Sequence, residues 1–231
     1  MTQVFIISAP SGSGKSTLVK EIKQLVDRLE FSVSYTTRPP RGSEEDGRDY
    51  YYTSRDVFER MIQRGEFLEH ADVFGDCYGT AKKFLDDAIT RGFDLLLDID
   101  VQGASQLQVS LPDAVSIFIL PPTREELEKR LRRRSSAERM TDEAKIQRRL
   151  ATATSEIEKY TEYDYILVND QLGDSIDALK AILLTERLRA AGRQPSRADE
   201  HEMAKLAESR KLENVRSSLG PILESFRKTT V

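Results

Sequence analysis

Residues 9–17, which read APSGSGKST, constrain the fold of this chain more than any other segment. They follow a short apolar run at residues 4–7 and precede apolar residues at helical spacing up to Leu29. This order predicts a strand, a glycine-rich turn and a helix, which is the context of a phosphate-binding loop (P-loop). Gly12 and Gly14 would let backbone N–H groups point at an anion, and the new helix would add its positive end.

Two side chains of this loop indicate its chemistry. Lys15 would reach the outer phosphates of a nucleotide, and the Ser16 hydroxyl would hold Mg²⁺. Ala9 stands where the usual pattern has its first glycine, and alanine fits there if it keeps a negative φ angle. A chance glycine-rich turn is the alternative, which the Lys-Ser pair between a predicted strand and a predicted helix disfavours.

Length and composition limit the class of protein. A chain of 231 residues suits one large domain or a core with inserted lobes. The net charge of −4 argues against broad nucleic-acid binding, and the single cysteine, Cys77, excludes an internal disulfide and indicates a reducing compartment. We find no secretory start and no apolar run of membrane-spanning length, so we expect a cytoplasmic protein that binds neither nucleic acid nor a membrane.

Acidic residues at the end of an apolar run give a second chemical signal. Residues 94–100 predict a buried parallel strand, with Asp98 and Asp100 at its carboxyl end. A carboxylate in that position, beside a P-loop, can bind the water shell of Mg²⁺. Further strands are predicted over residues 31–37, 115–120 and 165–168, and a last core helix over about residues 174–191.

Residues 34–80 predict a small mixed lobe with little room for a separate core. Arg38 and Arg41 lie on an extended segment that two prolines interrupt, so both can reach one anion, a solvated surface turn being the alternative. Tyrosines 50–52 predict a strand, residues 54–65 a helix, and residues 66–71 and 73–80 two strands joined by a turn.

Two later segments are helical and differ in character. The first, after Pro122, carries clustered arginines; such a run is usually a solvated face, but beside a P-loop it can form a flap that closes over phosphates. The second follows Gly192, where the chain becomes polar and ends in an amphipathic piece. Its apolar residues would pack on the core or on a second copy of the chain, as in a homo-oligomer. These residues are Leu219, Ile222, Leu223 and Phe226.

Together these stretches resemble the guanylate kinase family over about residues 3–190. The likeness rests on residues 8–17, 34–41, 47–50, 67–69, 78–80, 98–103 and 168–170. It implies an α/β P-loop fold of three layers with a central parallel sheet, a small inserted mixed α/β lobe that binds GMP, and a helical lid. It also implies Mg²⁺-dependent transfer of the γ-phosphoryl group of ATP to GMP. We expect dGMP to be used as well, because no residue singled out here requires the 2′-hydroxyl.

The resemblance divides the chain into four regions. The P-loop core comprises residues 1–33, 81–126 and 161–191, and residues 34–80 form the GMP-binding lobe. Residues 127–160 form the lid region, and residues 192–231 are a C-terminal helical extension outside the likeness. The lid departs from the family pattern, because Arg133 and Ser135 flank Arg134 where glycines are often found, and residues 136–140 look like an insertion.

The resemblance also assigns roles to individual residues. The expected ATP-binding residues are Ala9, Pro10, Ser11, Gly12, Ser13, Gly14, Lys15, Ser16, Thr17 and Asn169, the last near the adenine. The expected ligands of the GMP phosphate are Arg38, Arg41, Tyr50 and Tyr78, and those around guanine are Ser34, Glu69, Gly79, Thr80 and Asp98. Catalysis is assigned to Lys15, Arg38, Arg134 and Arg149, and the metal to Ser16 and, through water, Asp100.

Two other functions stay open at this point. One is a scaffold module of the same fold, whose lobe binds a phosphorylated or acidic peptide; an intact Lys15 and Ser16 disfavour it. The other is a kinase of the same fold that acts on another phosphorylated small molecule, which Glu69 and Asp98 disfavour. The mechanism we expect is in-line transfer without a covalent enzyme intermediate, in which charge on the transferred group is stabilised.

Overall fold

The computed structural model describes residues 2–73, 75–137 and 143–227, with the backbone alone for residues 134–137. Within these ranges the chain forms two sheets. The strands are β1 (Val4–Ser8), β2 (Leu29–Ser32), β3 (Tyr35–Thr36), β4 (Tyr51–Tyr52), β5 (Phe67–Val73), β6 (Asp76–Ala81), β7 (Asp94–Asp98), β8 (Val115–Leu120) and β9 (Tyr165–Val168).

Helices cover both faces of the larger sheet. They are α1 (Lys15–Leu25), α2 (Arg55–Gln63), α3 (Lys82–Arg91), α4 (Val101–Ser110), α5 (Arg124–Ala137), α6 (Glu143–Ile157), α7 (Leu172–Ala190), α8 (Ala198–Glu208), α9 (Leu212–Val215) and α10 (Gly220–Arg227), with 3-10 turns at Glu158–Glu162 and Arg216–Ser218. None of the helices in the described ranges is both long and apolar enough to cross a membrane.

The larger sheet is parallel throughout and has the strand order β2-β7-β1-β8-β9. Its central strands are almost continuously apolar because both faces are buried under helices. On one face β1 and β8 pack against α1 and α7, and on the other α4, α5 and α6 contribute to the core. The predicted α/β class with a central parallel sheet is therefore confirmed.

The smaller sheet has the order β4-β3-β6-β5 and is mixed, because β3 pairs parallel with β4 and antiparallel with β6. The prediction of little room for a separate core here is wrong. Phe58 and Met61 of α2 form a small apolar cluster with Phe67, Cys77 and Ala81 of the hairpin. Aromatic residues are large enough that a few of them fill such a core.

Two predicted strands end at other places in the structure. Residues 31–37 do not form one strand, because Ser32 pairs with Leu97 in the large sheet while Tyr35 pairs with Gly79 in the small one. Apolar and polar residues continue to alternate from the first sheet into the second, so the sequence pattern does not show that the strand ends after Ser32. The strand predicted over residues 94–100 ends at Asp98, because Asp100 instead caps α4 by accepting the N–H groups of the next turn.

The C-terminal extension packs on this chain's own core. Leu219 and Phe226 are buried in a cluster with Ile146 and Leu150 of α6. The extension also pairs with the edge strand β9, where the Ile166 N–H donates to the carbonyl of Arg210 at 2.9 Å. Ile222 and Leu223 are partly buried against the same cluster, so the apolar residues of this amphipathic piece pack on the protein's own core.

Candidate active site

The P-loop joins the carboxyl end of β1 to the first turn of α1. Gly12 and Gly14 have φ angles of 95° and 91°, a region that favours glycine over residues with side chains. A Cβ at Gly12 would also lie 2.9 Å from the side chain of Leu131, because α5 crosses over the loop. Ala9 is not among the positive-φ residues of the described chain, so the condition on which alanine fits there is met.

Two polar side chains donate hydrogen bonds to the main chain of this loop. Asn169 is buried, and its side-chain Nδ2 donates to the carbonyl of Ser13 at 2.8 Å. Arg130 donates to the carbonyls of Ser13 at 3.3 Å and Asn169 at 3.1 Å. The structure therefore places Asn169 against the P-loop, and its contact with adenine stays a prediction. The Ser13 hydroxyl is buried and has no hydrogen-bond partner in the described part of the chain.

The ammonium group of Lys15 lies at the carboxyl end of β7. It forms an ion pair with Asp98, with 2.5 Å between Nζ and Oδ1, and donates to the carbonyl of Ile99 at 2.6 Å. Ser16 is exposed in the first turn of α1, where the backbone N–H groups have no acceptor within the helix. The Asp100 carbonyl accepts from the hydroxyl of Ser8, at the end of β1, at 3.3 Å, and its Oδ1 accepts the N–H groups of Gln102 and Gly103. One edge of the sheet thus gathers the residues predicted for ATP and metal.

In the small sheet, three of the residues predicted for the GMP phosphate come together. Arg38 is buried, and its Nε donates to the hydroxyl of Tyr78 at 3.1 Å. The Arg38 guanidinium lies 4.7 Å from the centre of the Tyr50 ring, which meets the Tyr78 ring edge to face. Arg41, in contrast, has an exposed side chain, and its backbone rather than its guanidinium bonds to Glu44.

The residues predicted for guanine centre on a buried carboxylate. Thr80 donates its hydroxyl to Glu69 at 2.6 Å across the β5–β6 hairpin, and both residues are buried. Gly103 of α4 approaches so closely that a Cβ there would lie 2.4 Å from Oε2 of Glu69. Burial raises the pKa of Glu69 to about 7; the Thr80 hydrogen bond opposes this shift and the Asp100 charge adds to it. Ser34 is partly buried and uses its carbonyl to accept the N–H of Tyr51.

Gly79 packs inside the lobe, whereas Tyr50 relates the lobe to the end of β7 in the larger sheet. Gly79 packs under the rings of Phe58 and Phe67, where a side chain would clash, and it thereby sets the position of its neighbours. The pKa of Tyr50 is raised to about 12, first by burial and then by the charge of Asp98. Tyr50 of the lobe is therefore within electrostatic reach of Asp98 at the end of β7.

One of the two predicted lid arginines reaches the P-loop. Arg149 of α6 donates from Nη2 to the hydroxyl of Ser11 at 2.9 Å. Arg134 lies in α5, but its side chain is outside the described residues, as are residues 138–140 of the predicted insertion. The role of Arg134 stays a prediction.

Three residues at the site were missed by the sequence reasoning. They are Arg130, which braces the loop; Glu44, which pairs with Arg38; and Glu156 of α6. Burial raises the pKa of Glu156 to about 7; the charge of Asp100 adds to the shift, while that of Lys15 and a hydrogen bond from the Ser11 main chain oppose it. Glu156 lies two helical turns after Arg149, and that spacing was the available signal.

A P-loop with an intact lysine lies beside a lobe in which an arginine meets two tyrosines and a carboxylate is buried. This combination is typical of a phosphotransferase of the nucleotide kinase class. The family model described as guanylate kinase matches residues 1–186. The chain belongs to the guanylate kinase family, and it transfers a phosphoryl group from ATP to GMP.

Named relatives agree with this assignment. The guanylate kinase of Koribacter versatilis is 53% identical over 227 residues, covering 98% of this chain and 97% of the relative. The Escherichia coli guanylate kinase is 44% identical over 198 residues, covering 85% and 93%. The crystal structure of guanylate kinase from Anaplasma phagocytophilum matches with a TM-score of 0.67 at 35% identity, covering 81% of this chain and 87% of that one. The Koribacter match includes most of the C-terminal extension, which the family match does not.

Proposed function

We propose that the residues gathered here carry out Mg²⁺-dependent, in-line transfer of the γ-phosphoryl group of ATP to GMP or dGMP. The observation that carries this proposal is the ion pair between Lys15 of the P-loop and Asp98, which faces the lobe. Through this ion pair, a residue assigned to ATP directly contacts a residue assigned to GMP. In this scheme residues 1–33, 81–126 and 161–191 form the core, residues 34–80 the GMP lobe and residues 127–160 the lid, with residues 192–231 outside the site.

Guanine recognition follows from the Glu69–Thr80 pair. The Watson–Crick edge of guanine offers N1–H and N2–H₂ donors beside the O6 acceptor. Ionised Glu69 accepts from the two donors, and the Thr80 hydroxyl turns its single hydrogen from Glu69 to O6 of the base. Ser34 and Asp98 complete the guanine contacts, and the GMP phosphate is bound by Arg38, Arg41, Tyr50 and Tyr78.

ATP is held by the P-loop backbone and by Lys15. Backbone N–H groups at the start of α1 and the buried Ser13 hydroxyl surround the phosphates, while Asn169 fixes the loop from behind. Because a polyphosphate is a stronger anion than one carboxylate, Lys15 exchanges Asp98 for the phosphates when ATP binds.

Mg²⁺ fits the donors at this edge of the sheet. Ser16 offers a hydroxyl oxygen, and Asp100 uses Oδ1 for the helix cap, which leaves Oδ2 to hold a water of the hydrated ion. Hard oxygen donors of this kind suit Mg²⁺, whose remaining ligands would be water and phosphate oxygens. When bound, the ion neutralises charge on the phosphates.

The transfer itself needs positioning and charge stabilisation more than proton transfer. The attacking group is a phosphate oxygen of GMP, which is already nucleophilic, so no strong general base is required. Four cationic side chains stabilise the negative charge on the phosphoryl group while it is transferred. They are Lys15, Arg38, Arg134 and Arg149. Closure of the lid and the GMP lobe excludes water, which would otherwise hydrolyse ATP.

A coupled assay for ADP formation tests this proposal, with GMP, dGMP, AMP, UMP and CMP offered in turn. We expect turnover with GMP and dGMP and almost none with the other three. Turnover that requires the 2′-hydroxyl would contradict the dGMP assignment. Equal use of AMP would contradict the assignment of Glu69 and Thr80 to guanine. A Mg²⁺ titration with EDTA-treated protein tests the metal dependence in the same assay.

A further inference from the structure

The Glu44 carboxylate of the GMP lobe accepts four hydrogen bonds. Its oxygens accept from Nη1 of Arg38 at 2.6 Å and from Nη2 at 2.9 Å. They also accept from the Arg41 backbone N–H and from the Tyr52 hydroxyl, each at 2.8 Å. The Arg38 side chain is 4% exposed and that of Glu44 is 21% exposed, so the pair is largely removed from water.

The hydrogen-bond geometry divides the guanidinium of Arg38 into two edges. An arginine can present a fork through its two Nη atoms or through Nε and one Nη. Glu44 occupies the Nη1–Nη2 edge, and the second N–H of Nη1 donates to the carbonyl of Pro39 at 2.9 Å. The Nε–Nη2 edge is the one turned toward Tyr78, whose hydroxyl lies 3.1 Å from Nε. Glu44 therefore leaves Arg38 one fork, and that fork faces the other residues assigned to the phosphate.

The surroundings hold both partners in this orientation. The Glu44 N–H donates to the Arg41 carbonyl at 3.0 Å in a tight turn, so the carboxylate is built into the loop. The rings of Tyr50 and Tyr52 lie 4.7 Å and 5.8 Å from the guanidinium. Burial acts to raise the pKa of Glu44, but the bonds from Arg38, Arg41 and Tyr52 outweigh it and lower this pKa to about 2. Glu44 is thus ionised at neutral pH.

We propose that Glu44 is a positioning residue for GMP, which acts through Arg38 by fixing its Nε–Nη2 edge toward the 5′-phosphate. This inference rests on the proposed function, which assigns Arg38 to that phosphate. The alternative is that the Glu44 carboxylate occupies the binding position of the phosphate on Arg38, and that GMP displaces it. The two differ in sign, because removing a positioning group weakens GMP binding whereas removing a competitor strengthens it.

The test is steady-state kinetics of Glu44→Gln, with Glu45→Gln as the matched control. Glu45 is the next residue, and its exposed side chain pairs with Arg48 on the surface. We expect KM for GMP to rise about tenfold in E44Q, which corresponds to about 1.4 kcal/mol, with KM for ATP unchanged. E45Q should match the wild type. Glu44→Asp keeps the charge but not the reach, and we expect an intermediate KM; it also serves if E44Q folds poorly.

A double-mutant cycle with Arg38→Met separates a positioning role from a general structural one. If Glu44 acts through Arg38, E44Q adds no further increase in KM for GMP in the R38M background. Additive effects, an unchanged KM in E44Q, or a lower KM in E44Q would each overturn the inference. An unchanged KM in R38M alone would instead contradict the proposed function, so the two failures are distinguishable.

Discussion

The ammonium of Lys15 and the carboxylate of Asp98 form an ion pair, with 2.5 Å between Nζ and Oδ1. Both groups lie where β7 ends and α1 begins, and both are partly shielded from water. Because Lys15 is assigned to the phosphates of ATP and Asp98 to guanine, this contact lies between the two substrate sites. We therefore expect mutation of Lys15 to affect the step that involves ATP, and mutation of Asp98 to affect the binding of GMP.

Lys15→Ala should remove most of the turnover and leave GMP affinity near normal. The substitution deletes a charge that matters most in the transition state, whereas GMP binds in the lobe. We expect kcat to fall about a hundredfold to a thousandfold, which is typical of removing one stabilising group. Steady-state kinetics give kcat, and calorimetric titration with GMP gives the affinity.

Lys20→Ala is the control, because Lys20 is exposed on the same helix and away from the loop. It should retain wild-type kinetics. If K15A kept near wild-type turnover, the protein would not be using its P-loop for catalysis.

Gly103→Ala tests the position of the Glu69 carboxylate without changing any predicted ligand. The added Cβ would lie 2.4 Å from Oε2 of Glu69, so the carboxylate has to move away from guanine. Losing a hydrogen bond to a charged group costs about 1.5–3 kcal/mol, so kcat/KM for GMP should fall roughly tenfold to a hundredfold. KM for ATP should stay the same.

The matched control is Gly173→Ala in α7, where a Cβ meets nothing within 4 Å. Alanine has the better helix propensity at both sites, so the two variants should be similarly well folded by circular dichroism. An equal loss of GMP efficiency in both variants would show that the contact between Gly103 and Glu69 is not the cause.

The sequence predicts elements best where local signals mark both ends. The strands at residues 115–120 and 165–168 have the predicted bounds. The helix predicted over residues 54–65 forms as Arg55–Gln63, and Gly65 follows it with a φ angle of 65°. A buried apolar run and a glycine stop act over a few residues, so they are visible in sequence.

What the sequence does not reveal depends on partners that are distant along the chain. Asp100 could be identified as a carboxylate near the P-loop, but its role as a helix cap depends on where β7 ends. The pairing of Lys15 with Asp98 joins residues of two different strand–helix units. Glu44 lies in an acidic turn, and its pairing with Arg38 could not be predicted from the sequence. Nothing in the neighbouring residues shows that Arg38 is buried and therefore needs a counter-ion.

The pH dependence of GMP binding should follow the ionisation of Glu69. Its pKa is raised from 4.5 to about 7, mainly by burial, and only the ionised form accepts from both guanine donors. KM for GMP should therefore fall as pH rises through about 7. The GMP phosphate itself titrates near pH 6, so the profile of Glu69→Gln provides the baseline. The difference between the two profiles isolates Glu69, and identical profiles would contradict the assignment.

Stability should show the opposite trend. Because the pKa of Glu69 is higher in the folded protein than in the unfolded chain, the folded state binds more protons between about pH 4.5 and 7. This contribution to the free energy of unfolding is therefore largest at the acidic end and declines as pH rises to about 7. Urea unfolding at several pH values, compared with that of E69Q, measures it. A Glu69 contribution that grew with pH would contradict the raised pKa.

Leu219→Ala should destabilise the protein without changing its choice of substrate. Leu219 is 1% exposed in the cluster that joins the extension to α6, and replacing a buried leucine by alanine costs about 2–5 kcal/mol. All the residues assigned to the guanine base precede the extension, so the ratio of kcat/KM for GMP and AMP should not change. Leu172→Ala is the control, because Leu172 is 44% exposed. A changed ratio in L219A would show that the extension contributes to the site.

Glu69→Gln tests base selection directly. With AMP, the Glu69 carboxylate would face the unprotonated N1 of adenine and lose its donor, which costs about 1.5–3 kcal/mol or more in a closed site. Sites built in this way reject a mismatched analogue by roughly four to five powers of ten. The neutral amide introduced by E69Q would offer a donor as well as an acceptor, so this variant should lose efficiency with GMP and narrow the gap to AMP.

Arg41→Met separates this effect from a general loss of nucleotide binding. Arg41 is assigned to the phosphate alone, so its loss should weaken GMP and AMP alike and leave the ratio of their kcat/KM values unchanged. E69Q should thus change the ratio of kcat/KM for GMP to that for AMP, whereas R41M should lower kcat/KM for both nucleotides by the same factor. Measuring kcat/KM for both monophosphates in both variants decides the matter. An unchanged ratio in E69Q would mean that Glu69 does not contact the base, because loss of the carboxylate that accepts from guanine N1–H must change the preference between the two bases.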